Sequence, residues 1–88
     1  MKMKENFLLR QVADTWVVMP IGQATVDFNG MLTLNETGAL LWRKLSEGAD
    51  LDELVAALTA DYNVSDEEAR ADASAFCRKL VDAGCAEA

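Results

Sequence analysis

Apolar positions in the first third of the chain alternate with polar ones or run in short blocks, and from residue 36 onward they recur every three or four. Residues 6–12, "NFLLRQV", and 15–19, "TWVVM", are rich in strand formers and only Ala13-Asp14 separates them, which predicts a hairpin. Pro20 and Gly22 break or bend the second strand. "ATVDF" (24–28) and "MLTL" (31–34) then flank Asn29-Gly30, a pair suited to a type I′ turn because both central positions need positive φ. The result is a small antiparallel meander of three or four strands. The number depends on whether 24–28 extends the second strand past a bulge or stands alone.

The period then changes to that of a helix. Asn35 is an N-cap with Glu36 favourably placed against the helix dipole, and Gly38, Leu41, Trp42 and Leu45 form one buried face before Gly48 marks the stop. No loop separates strand from helix, so the register of 31–34 and the direction of the helix are fixed together. Asp50 and Glu53 make a capping box for a second helix that buries Leu51, Leu54, Val55 and Leu58. Ser65 and Glu68 make another for a third, whose core stripe is Ala69, Ala73, Phe76 and Leu80, with Gly84 as its stop and 85–88 as a short tail. This third helix has unequal shoulders. One carries Asp72 and Lys79, both solvated; the other carries Arg70, Cys77 and Val81, which either widen the buried face or line a groove.

The 88 residues, 51% apolar and 26% charged, fit one α+β domain, residues 1–88, of ordinary globular composition. The opening "MKMKENFLLRQ" has too short an apolar run for a signal peptide or a membrane span. Cys77 and Cys85, about 12 Å apart along a helix, lie beyond disulfide reach and suit a reducing compartment, so a cytoplasmic location is expected. Residues 1–35 are neutral, and twelve acids against five bases in 36–88 carry the whole net charge of −7. An acidic helical half disfavours a polyanionic partner.

The chain has no histidine, which removes the commonest general base and zinc ligand, and its two cysteines are too few for a structural zinc site. No phosphate-binding glycine loop and no nucleophile–base pair can be named, so no catalytic residue, metal or cofactor is expected. Strand followed by three helices resembles a winged helix-turn-helix, but the third helix opens "SDEEARAD", with four acids where a DNA reader needs bases.

A strand running into "LNETGALLW", then "LDELVAAL" and a third helix ending "FCRKLVDAG" together resemble the PqqD family over nearly the whole chain. The most specific piece is Leu34-Asn35-Glu36-Thr37 before an apolar helix; the chain departs from the family pattern at Cys77, Cys85 and Ala86. The resemblance implies a winged helix-turn-helix variant that binds peptide instead of DNA. Such a domain captures the leader of a ribosomally made precursor peptide and presents it to a modifying enzyme, often a radical SAM protein. The leader adds a strand to an exposed sheet edge beside the third helix.

On that basis Met31, Leu32, Thr33 and Leu34 are the expected augmenting edge, a stretch free of charge and proline. Arg70, Ala73, Cys77 and Val81 are the expected groove wall, with Arg70 either meeting a leader carboxylate or forming a surface ion pair. Homodimerisation through the same edge is a second reading and DNA binding a third.

Overall fold

The computed structural model describes residues 2–22 and 32–87. Its elements are β1 (Lys2–Met3), β2 (Phe7–Val12), β3 (Thr15–Pro20), β4 (Leu32–Leu34), α1 (Glu36–Ser46), α2 (Leu51–Asp61), α3 (Asp66–Ala83) and β5 (Ala86–Glu87). The class is α+β, as the change of period predicts. The 24–28 run, the Asn29-Gly30 turn and Met31 lie outside the described residues.

β2, β3 and β4 form an antiparallel sheet in that order. The hairpin closes at Ala13-Asp14, pairing Val12 with Thr15 and Phe7 with Pro20; Ala13 supplies the positive φ of 56° that so tight a turn demands. β3 pairs with β4 from Trp16↔Leu34 to Val18↔Leu32. Because strand side chains alternate, this register puts Leu9, Trp16, Val18, Leu32 and Leu34 on the face that meets the helices, and leaves Thr33 on the other, exposed. A one-residue slip would exchange the two faces, so burial of Val18 and Leu34 fixes the register.

The caps lie where their chemistry predicts. Asn35 Oδ1 accepts from the Gly38 N–H at 2.8 Å, and Asp50 and Glu53 exchange both bonds of a capping box at 2.8 and 3.2 Å. Gly84 ends α3 in the left-handed conformation (φ 87°) that a Cβ disfavours, its N–H donating to Leu80 and Val81 carbonyls. The expected stripes are buried: Gly38, Leu41, Trp42 and Leu45 on α1, Leu54, Val55 and Leu58 on α2, and Ala69, Ala73, Phe76 and Leu80 on α3.

Three expectations are corrected. Leu51 shares the α2 stripe by periodicity but is 36% exposed, because it occupies the first helical position and burial on that helix begins one turn later. At α3 only the Ser65 half of the capping box forms, its hydroxyl accepting from the Glu68 N–H at 3.1 Å. The tail is a strand: β5 pairs with β1 through Lys2↔Glu87 and Met3↔Ala86, and the Lys4 N–H donates to the Cys85 carbonyl at 3.0 Å. The reversal at Gly84 turns two small residues, Cys85 and Ala86, into the core, and the N-terminal segment satisfies the main-chain groups that follow them.

Candidate functional site

β4 is an edge strand. One side of it pairs with β3, and among the described residues its other side has no strand partner. Such an edge carries unsatisfied N–H and C=O groups that attract another strand, and β4 has no charged residue or proline to block one. Its last residue is followed by Asn35, whose side chain caps α1, so backbone hydrogen bonding and helix capping hold the edge in one orientation.

Beside the C-terminal end of β4 lies a cleft of about 440 Å³. Leu34 and Asn35 line it at the strand–helix junction, Thr37, Gly38 and Leu41 from α1, and Asp72, Ala75, Phe76 and Lys79 from α3. Gly38 sets its depth. A Cβ there would stand 3.2 Å from Leu34 Cβ and 3.3 Å from both Asn35 Oδ1 and Phe76 Cε1, so the missing side chain is what lets β4, α1 and α3 converge. The floor is apolar, from Leu34, Leu41 and Phe76, and the α3 rim is charged.

Of the residues expected from the sequence, Leu32, Thr33 and Leu34 form the edge, and Leu34 also lines the cleft. Met31 lies outside the described residues. The expected α3 wall is not brought to the cleft. Arg70 instead bonds to Asp52 of α2 at 2.9 Å, with side chains 51% and 80% exposed, a geometry worth little in water. Ala73 is fully buried in the core stripe and has no surface to offer. Cys77 and Val81 are half-buried and packed against the core, which is the wider buried face left open by the wheel. From α3 the cleft is lined by Asp72, Ala75, Phe76 and Lys79. The signals for it were Gly38, four residues past Leu34 on the buried face of α1, and the small Ala75 set between two charged positions of α3.

Both cysteines are free thiols. Burial pushes each upward from its ordinary pKa, with Lys4 drawing Cys85 part of the way back, so neither is poised as a nucleophile. A second, smaller hollow of about 290 Å³ lies on a different face of α1, where the Arg43 guanidinium stacks 4.6 Å from the centre of the Trp16 ring. The first turn of α3 displays Asp66, Glu67 and Glu68, a negative end unsuited to phosphate.

The family model described as coenzyme PQQ synthesis protein D (PqqD) matches residues 15–86. Among solved structures the chain is similar to TbiB1 in complex with the TbiA(beta) leader peptide, at 25% identity and a TM-score of 0.81, covering 99% of this chain and 95% of that one. A lasso peptide synthetase B1 complexed with the leader peptide has the same fold, at 23% identity and a TM-score of 0.80, covering 99% and 96%. No curated protein matches the chain.

Proposed function

The chain belongs to the PqqD family, and from that premise we propose that it binds the leader segment of a ribosomally synthesised precursor peptide by strand addition to β4. The observation that carries this reading is the outer edge of β4, which has no strand partner among the described residues and runs into a capped helix beside an apolar-floored cleft. Two solved structures similar to this chain are themselves complexes with leader peptides, which supports the same ligand class here.

In this reading the edge supplies main-chain hydrogen bonds that tolerate many sequences, and the cleft takes alternate leader side chains that confer choice. Three strand residues give roughly two or three bonds worth a net ~0.5–1.5 kcal/mol each, and the floor takes one or two apolar side chains at ~1.5–3 kcal/mol each. These terms total roughly 2.5–10.5 kcal/mol before the ordering of a flexible leader offsets part of them, which leaves at most about −8 kcal/mol, a micromolar to high-micromolar affinity. Such a complex forms and dissociates readily, as suits a carrier that delivers its peptide. The chain acts without catalysis of its own, in the cytoplasm, and hands the bound precursor to a separate modifying enzyme, with a radical SAM protein as the leading class.

Calorimetric titration with the synthetic leader of its precursor tests this directly. Saturable one-to-one binding in that range is expected; no saturable heat at high micromolar leader contradicts it.

A further inference from the structure

The α3 rim of the cleft carries more information than an apolar pocket needs. Asp72 and Lys79 both line the cleft and stand two turns apart, about 10 Å along the helix axis at ~1.5 Å per residue. Ala75 and Phe76 fall between them, over the floor formed with Leu34 and Leu41. Among the described residues neither charge has an ion-pair or hydrogen-bond partner; the ion pair that α3 makes with α2 uses Arg70 and Asp52. Read along the helix, the wall is an anion, an apolar stretch and a cation.

An extended guest shows every second side chain to one face, about 6.7 Å apart. With one apolar side chain seated over Ala75 and Phe76, the same-face residues two positions to either side stand about 13 Å apart, within reach of Asp72 and Lys79 for long side chains. Resting on the leader-binding reading above, we propose that this cleft selects a guest strand with a basic, an apolar and an acidic residue at alternate positions, the base on Asp72 and the acid on Lys79. For a guest running in the same direction along α3, the reverse order puts like charges together at both ends of the cleft. Because both side chains are exposed, each matched pair strengthens binding only about two- to fivefold, so the wall discriminates mainly by rejecting the reversed order. The net charge of −7 repels acidic segments generally, and Lys79 is what admits an acidic residue at this point.

The test is to pan a displayed library of random 12-residue peptides against the intact protein and against the double reversal Asp72→Lys/Lys79→Asp. Both positions are on the surface, and circular dichroism checks that the fold is kept. The wild-type protein is expected to enrich base–x–apolar–x–acid in one chain direction, and the reversed protein the opposite order of charges. A peptide selected on the wild type should bind the reversal about tenfold more weakly by fluorescence anisotropy. Enriched peptides with no charge order, or with an order that survives the reversal, overturn the specificity proposal and leave leader binding standing. No enrichment, or enriched peptides whose binding is unchanged when Ala75→Trp fills the cleft, overturns both.

Discussion

The α3 shoulder carrying Arg70, Cys77 and Val81 is more apolar than the one carrying Asp72, Ala75 and Lys79; its Cys77 and Val81 pack against the core, whereas the charged shoulder faces open space. A chain of 88 residues has little apolar surface to spare, so an aliphatic shoulder is taken up by its own core. The cleft has a narrow apolar floor and a rim of small and charged groups, which keeps its exposed apolar patch small. The two borders of the sheet repeat the lesson. β2 is the longer edge and exposes Leu8 and Val12, but it carries Arg10 and lines no part of the cleft, whereas the three-residue β4 is uncharged and adjoins it.

Substitutions along α3 separate what the shoulders share from what distinguishes them. Leu80 lies in the stripe beneath both and is fully buried, so Leu80→Ala is expected to cost about 2–5 kcal/mol, a large part of the stability of so small a domain, measured by urea denaturation. Filling the open side is the next largest effect. Ala75→Trp places an indole in the cleft from an exposed position, and leader affinity should fall at least about tenfold, or about 1.4 kcal/mol, with little change in the urea midpoint.

Gly38→Ala acts at the junction itself: a methyl 3.2–3.3 Å from Leu34, Asn35 and Phe76 overpacks it by about 1–3 kcal/mol against a helix-propensity gain of about 1 kcal/mol. A net loss of up to about 2 kcal/mol and weaker leader binding are expected, from thermal melts and calorimetry on one preparation. On the closed side, Arg70→Ala removes only an exposed ion pair, so stability should change by less than about 0.5 kcal/mol and leader affinity not at all. A clear affinity loss at Arg70 would return the groove to the other shoulder.

Cap chemistry and periodicity made most of the architecture legible. Asn35, the Asp50/Glu53 box and Gly84 are local signals, each satisfied by atoms within a few residues, and the buried stripes follow from the 3.6 period. What stayed hidden depends on contacts distant in sequence. β1 and β5 are two residues each, and their pairing joins the two ends of the described chain, so no local window contains it. A helical wheel locates the centre of the α3 stripe and shows that its flanks differ, but it does not say which one β4 and α1 approach. Asp72 and Lys79 are exposed, as solvated positions are, and a charged cleft wall facing water has the same appearance in a sequence.

Amide shift mapping of labelled protein during leader titration tests the central claim most directly. The account predicts changes concentrated at Leu32–Leu34, at the start of α1 and on the Asp72–Lys79 flank of α3, with slowed amide exchange at β4. Changes centred on β2 or on the Arg70, Cys77 and Val81 flank, with β4 silent, would contradict it.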